Sequence, residues 1–136
     1  MVNICNVNDK KRIIELGTLI NQNFSKVNNI EELIKENNII GYYDEDYLVG
    51  FIIFNKLYEV IDLLYIVVDP IYRRKNIGSI LLEYLINNFI FEKIILEVRC
   101  DNVNAIKLYK KYNFKIINIR KKYYENKDAY VMELIK

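Results

Sequence analysis

From Val60 to Val68 the chain is apolar apart from Asp62, and this run stops at Asp69-Pro70. A basic loop, Tyr72-Arg73-Arg74-Lys75-Asn76, then leads into Ile77-Gly78-Ser79. Such a run suits a strand covered on both faces. Proline closes it, having no N–H to give a ladder. Beyond the loop, Ile77, Ile80, Leu81, Tyr84, Leu85 and Phe89 recur at helical spacing, and Lys93 to Val98 reads as the next strand. A strand–helix–strand crossover in one sheet is right-handed and makes its two strands parallel. The chain is therefore committed to an α/β fold.

The remaining elements attach to that unit. Val2 to Val7 reads as a strand, and Asp9 is expected to cap a helix whose face is Ile13, Leu16 and Ile20. Phe24 to Asn29 reads as a loop, and Asn29 precedes a shorter helix opened by Glu31 and Glu32. Ile39 to Tyr43 and Leu48 to Asn55 flank Asp44-Glu45-Asp46 and form a hairpin. Asp101 or Asn102 caps a helix carrying Ala105, Ile106, Leu108, Tyr109 and Tyr112, which Asn113 ends in a left-handed conformation. Phe114 to Ile119 and Ala129 to Leu134 are strands joined by the polar segment from Lys121 to Asp128. The order is β-α-α-β-β-β-α-β-α-β-β: a mixed α/β sheet of about seven strands with four helices, in a single domain over residues 1–136.

Composition removes several functions. Histidine is absent, so neither a histidine triad nor a common zinc site can be built, and no metal is expected. Cys5 and Cys100 are isolated and read as reduced thiols. A net charge of +2, spread over local basic patches, does not describe a nucleic-acid binder. No apolar run reaches membrane-span length and no secretory leader is recognisable, so a cytoplasmic protein with no membrane partner is expected.

The turn after Pro70 is the one place with a chemical signal. The first helical N–H groups lack partners, and the helix dipole adds roughly half a positive charge there. Gly78 admits close approach to the backbone, Asn76 tolerates a left-handed conformation, and Arg73, Arg74 and Lys75 supply charge. Phosphate binding and a merely solvated turn both fit this spacing. The loop has neither the GK[ST] ending of a P-loop nor the three glycines of a dinucleotide fingerprint.

Several pieces coincide in order: Val68-Asp69-Pro70, the loop Tyr72-Arg73-Arg74-Lys75-Asn76-Ile77-Gly78, Leu96-Glu97-Val98-Arg99, Asn102 with Ala105, and Leu108-Tyr109 followed by Phe114. Together they resemble the GNAT superfamily of acetyl-CoA-dependent N-acetyltransferases. Leu96 to Arg99, with Tyr123-Tyr124 and Asp128-Ala129-Tyr130-Val131-Met132, is similar to the ribosomal-protein N-alanine acetyltransferases, the RimI type. Three features depart from the pattern. Asn76 and Asn113 replace family glycines, and Phe24-Ser25-Lys26-Val27 stands where an aromatic-Pro-Trp-Ser acceptor loop is common. The last departure bears on the substrate, not on the reaction.

The resemblance implies a GNAT fold with strands four and five parallel and splayed. Acetyl-CoA would lie along Ile66, Val67 and Val68, its pyrophosphate on the loop Arg73, Arg74, Lys75, Asn76, Ile77, Gly78 and Ser79, with Asn102 as a further contact. It also implies Glu97 as the base for the acceptor amine and Tyr109 as the acid for the departing thiolate. Read without it, Glu97 interrupts an apolar strand either at a solvent edge or for function, and Tyr109 is one of twelve tyrosines. Tyr65, Tyr123, Tyr124, Asp128 and Tyr130 fall where related enzymes hold a peptide end. The implied acceptor is a protein N-terminus, a ribosomal protein beginning with alanine. Freeing an α-amine at pH 7 costs about 1 kcal/mol against about 4.6 kcal/mol for lysine, which favours that acceptor for a single carboxylate base. A small amine or a lysine side chain is the alternative acceptor, and a non-catalytic acetyl-CoA-binding module is the alternative class. A monomer or weak homodimer is expected.

Overall fold

A computed structural model describes residues 1–124 and 126–136, and only the backbone of Tyr123 and Tyr124. Seven strands are present: β1 (Val2–Ile4), β2 (Ile39–Asp44), β3 (Tyr47–Leu57), β4 (Val60–Val68), β5 (Lys93–Arg99), β6 (Lys115–Tyr124) and β7 (Lys127–Ile135). Five helices accompany them: α1 (Lys10–Thr18), α2 (Phe24–Val27), α3 (Ile30–Lys35), α4 (Ile77–Asn88) and α5 (Val103–Lys111). The strands form one mixed sheet in the order β1-β2-β3-β4-β5-β7-β6. β4 and β5 are parallel, and the pairs β1–β2, β2–β3, β5–β7 and β6–β7 are antiparallel. Contacts divide the chain into two compact units, Met1–Phe54 with Tyr65–Phe89, and Asn55–Leu64 with Ile90–Lys136.

The first unit closes over a core that includes Ile13, Leu16, Phe24, Ile30, Ile39, Phe51, Ile53 and Val67. The β2–β3 hairpin turns on Glu45 and Asp46, with Asp44 paired to Tyr47 and Glu45 at φ 56°. β1 is shorter than the sequence predicts. After Ile4 the chain enters a 3-10 turn in which Asn8 N–H donates to Asn6 Oδ1 and Asn6 N–H donates to Asp9 Oδ2, each at 2.9 Å. That use of Asp9, together with a 2.7 Å bond from the Tyr43 hydroxyl, replaces its expected cap on α1. α1 buries Ile13, Leu16 and Gly17, whereas Ile20 lies past its end and is exposed.

The segment from Phe24 expected as loop contains α2, which makes five helices in place of four. Four residues are too few to show a 3.6 period, so packing defines this turn. Phe24 is fully buried, and a Cβ added to Gly17 would stand 2.4 Å from its ring. Asn28 Nδ2 donates to the Phe24 carbonyl at 3.0 Å. Asn29 caps α3 as expected, accepting from Glu32 N–H at 3.1 Å.

In the second unit the parallel ladder joins Val60–Leu63 to Lys93–Leu96. β4 is not covered on both faces throughout, since Asp62 and Leu64 are exposed and only Ile61 and Leu63 are buried there. β5 then pairs along its whole length with β7. The polar segment Lys121 to Asp128 is largely strand, because β6 and β7 continue to a tight hairpin with Tyr124 opposite Lys127. β6 is an edge, so lysine and arginine there meet water and deter further pairing, which hid the strand from an apolar-pattern reading. No helix among the described residues is long and apolar enough to cross a membrane.

Left-handed residues replace glycine throughout. Of the described residues with positive φ none is glycine, and four are asparagines: Asn37, Asn76, Asn113 and Asn126. Asn76 at φ 60° and Asn113 at φ 72° take the left-handed backbone that the sequence allows for them.

Two measurements follow from this packing. Gly17→Ala should destabilise by about 2 kcal/mol in urea unfolding, because the collision with Phe24 outweighs the helical gain of alanine. Gly17→Ala combined with Phe24→Leu should recover much of that loss; a stabilised single variant would show that Phe24 is not where the packing puts it. Burial pushes the Cys5 thiol up to about 12, and burial with the neighbouring Cys5 and Asp9 raises the Tyr43 hydroxyl as well. The raised thiol contributes stability in full below its unfolded value near 9, and loses it as pH rises toward 12. Stability should therefore fall by about 2–3 kcal/mol between pH 9 and 11, and Cys5→Ala should flatten that fall.

Candidate active site

The candidate donor loop is built by the first unit. β4 ends at Asp69, the one buried charged residue among those described. Asp69 Oδ1 accepts from Ile71 N–H at 3.0 Å, Oδ2 accepts from Arg12 Nη2 at 2.5 Å, and the Asp69 N–H donates to the Val49 carbonyl at 2.8 Å. The Ile71 amide first, and Arg12 second, hold its carboxyl below the usual carboxylate range. Arg12 also donates through Nε to the Leu48 carbonyl at 2.8 Å, pairs with Glu15, and lies 4.4 Å from the Tyr47 ring centroid. The strand end is thus tied to α1 and β3 before the loop begins.

After a 3-10 turn at Pro70–Tyr72 come Arg73, Arg74, Lys75 and Asn76, all exposed. Arg74 is left-handed at φ 67°, and Lys75 Nζ lies 5.4 Å from the Tyr72 ring centroid. Asn76 is the N-cap of α4 but takes φ 60°, ψ 22°, and its side chain makes no cap hydrogen bond. The first helical bond is Ile80 N–H to the Asn76 carbonyl at 3.0 Å, so the N–H groups of Ile77, Gly78 and Ser79 precede it. α3 and α5, by contrast, are capped by Asn29 and Asn102 side chains. Asn76 therefore puts no side-chain cap of its own on the positive end of the α4 dipole, a setting in which a helix start can hold an anion. Arg73, Arg74 and Lys75 add exposed positive charge beside that helix start.

Gly50, which the sequence reading passed over, supports the same turn. A Cβ there would stand 3.0 Å from the Val67 carbonyl oxygen and 3.2 Å from Ile77 Cγ2, so a side chain would press on the end of β4 and the start of α4. Glycine inside an apolar strand was the available signal. Ile66, Val67 and Val68 lie on β4 beyond the stretch paired to β5, with Val67 buried. Tyr65 packs edge-on to Phe24 at 5.2 Å, and its hydroxyl accepts from Asn28 Nδ2 at 3.1 Å.

The second unit carries the candidate acid and base. Glu97 sits on β5 opposite Val131 of β7, its side chain 26% exposed, with Oε1 3.2 Å from Arg120 Nη1. Tyr109 is the one buried residue of α5, its ring centroid 5.6 Å from that of Phe114 at a tilt of 55°. Burial alone pushes its hydroxyl up to about 12, so it remains protonated at neutral pH. Asn102 accepts from Ala105 N–H at 3.3 Å, which shows its capping role; nothing in that bond assigns it a cofactor. Asp128 holds the β6–β7 hairpin, accepting from Lys122 N–H at 2.9 Å and facing Lys121 at 3.6 Å. Tyr130 lies opposite Val98 and is partly buried. The side chains of Tyr123 and Tyr124 lie outside the described residues. Among the described residues no group of three or more acidic or cysteine side chains could hold a metal.

Comparison with known proteins agrees with this arrangement. The acetyltransferase (GNAT) family pattern matches residues 14–114. An N-alpha-acetyltransferase of Saccharolobus solfataricus is 37% identical over 107 residues, which are 73% of this chain and 64% of that protein. A ribosomal protein bS18-alanine N-acetyltransferase of Salmonella typhimurium is 34% identical over 97 residues, 66% of each. The chain thus spans just under two thirds of these curated relatives. The crystal structure of the ribosomal-protein-S18-alanine N-acetyltransferase from Escherichia coli matches with a TM-score of 0.83 at 25% identity, covering 99% of this chain and 92% of that one. With its parallel β4–β5 pair and most of its length inside the matched segment, the chain belongs to the acetyltransferase (GNAT) family.

Proposed function

We propose that this chain is an acetyl-CoA-dependent N-acetyltransferase of the cytoplasm that acetylates the α-amine of a protein N-terminus, a ribosomal protein beginning with alanine. The observation that carries the reading is the opening turn of α4, which the Asn76 side chain does not cap and which lies beside Arg73, Arg74 and Lys75. The donor's diphosphate is assigned to that turn, Ile66, Val67 and Val68 to its pantetheine arm, and Asn102 to a further contact. Similarity to an N-alpha-acetyltransferase and a ribosomal protein bS18-alanine N-acetyltransferase supports an N-terminal acceptor.

Acetyl-CoA, when bound, supplies an activated acetyl group as a thioester. Glu97 takes the proton of the incoming ammonium so that the amine lone pair can attack the acyl carbon, forming C–N as C–S breaks. Tyr109 keeps its proton through neutral pH and presents it to the sulfur that leaves. An α-amine asks about 1 kcal/mol for deprotonation at pH 7, within reach of one partly exposed carboxylate, whereas lysine asks about 4.6 kcal/mol. Tyr65, Asp128 and Tyr130, with Tyr123 and Tyr124, are assigned to the acceptor peptide. A second reading, a small amine or lysine acceptor, draws on the sequence of α2, Phe24-Ser25-Lys26-Val27, which lacks the aromatic-Pro-Trp-Ser motif that the resemblance leads one to expect in that region.

Calorimetry should detect acetyl-CoA binding. Glu97→Gln should then lower kcat by roughly 10²–10³ while leaving donor Kd within about twofold, and Tyr109→Phe should lower kcat by at least about tenfold. An alanine-initiated peptide should be acetylated faster than lysine or polyamine acceptors. No donor uptake, or full turnover in Glu97→Gln, would overturn the assignment; preference for a polyamine would establish the second reading.

A further inference from the structure

We infer that Arg120 is a positioning residue for acyl transfer, holding one oxygen of Glu97 so that the other faces the acceptor amine. The inference rests on the reading of Glu97 as the base. Arg120 Nη1 lies 3.2 Å from Glu97 Oε1, and Glu97 Oε2 has no protein partner among the described residues. The sheet explains the approach. Glu97 stands opposite Val131 and Arg120 opposite Ala129, on the two strands flanking β7. Ala129 and Val131 are two residues apart, so both charged side chains occupy one face and meet diagonally across β7. Ala129 is fully buried and small, which leaves the crossing open.

A second cation shares that face. Arg99, also opposite Ala129, is held by Asp101 through Nε at 3.1 Å and Nη2 at 2.9 Å. Arg120 is accordingly the cation that meets Glu97. A carboxylate on a strand rotates about three side-chain bonds, and a single charged bond at Oε1 removes most of that freedom while leaving Oε2 for the proton transfer. Arg120 is half exposed. A pair this open to water adds little to folding, so its loss can be read in kinetics without unfolding the chain.

The test measures kcat and acceptor KM for Arg120→Gln, Arg120→Lys, Glu97→Gln and the double variant, with the α-amine peptide and saturating acetyl-CoA. Arg120→Gln should lower kcat about tenfold with acceptor KM within about twofold, and with Tm within about 3 °C of the parent. Arg120→Lys, which restores a cation, should recover several-fold of that loss. In the Glu97→Gln background Arg120→Gln should cost nothing further, since it acts through the missing carboxylate. Unchanged kcat in Arg120→Gln, a loss that multiplies with that of Glu97→Gln, or a lowered acceptor KM at unchanged kcat would overturn the inference while leaving Glu97 as base. Full turnover in Glu97→Gln would remove the base reading, and this inference with it.

Discussion

The carboxylate of Asp69 is the contact on which the loop between β4 and α4 depends. A buried charge is tolerated only when its oxygens are engaged, and both are: one by the amide of Ile71 ahead of it, the other by Arg12 from α1. Because the same Arg12 also grips the Leu48 carbonyl, α1 measures the distance between the start of β3 and the end of β4. The lowered carboxyl value keeps Asp69 ionised through neutral pH, and this contribution is lost only as pH falls through that lowered value. The place where strand becomes loop is therefore set by an ion pair joining residues 57 apart in sequence.

Once the strand end is fixed, the conformation of Asn76 decides what the following helix can hold. N-caps are ordinarily extended, with the side chain returning to the amides it protects. Asn29 does so at φ −83°, ψ 92°, and caps α3. Asn76 in the left-handed region does not. The same residue type thus caps one helix and not another, according to its backbone angle. Asparagine bears the left-handed conformation better than other residues with a Cβ, which explains how a chain with four glycines keeps this turn.

Periodic features were legible in the sequence. β4, α4 and β5, the β2–β3 hairpin, the caps Asn29 and Asn102, and the left-handed Asn76 and Asn113 all depend on short-range patterns or single-residue backbone preference. What was hidden depends on partners far away. α2 is too short to have a period and exists because Gly17 makes room for Phe24. Asp9 sits where a cap belongs, yet Tyr43 and Asn6 claim it. The Arg120–Glu97 pair joins two strands that are not neighbours, with β7 between them. Lys121 and Lys122 looked like loop because an edge strand has no apolar alternation to display.

The missing acceptor-loop motif has a structural counterpart that narrows what Tyr65 can do in the proposed reaction. Phe24 turns inward against Gly17 and the edge of the Tyr65 ring, while Asn28 Nδ2 donates both to the Phe24 carbonyl and to the Tyr65 hydroxyl. That hydroxyl, already accepting one bond, has its proton to offer. An acceptor that reaches it meets a donor suited to a peptide carbonyl and poorly suited to an ammonium, which has only protons to give. In the proposed reaction the ammonium proton goes to a carboxylate. Glu97, whose one oxygen is engaged by Arg120 and whose other is open, has the chemistry for it.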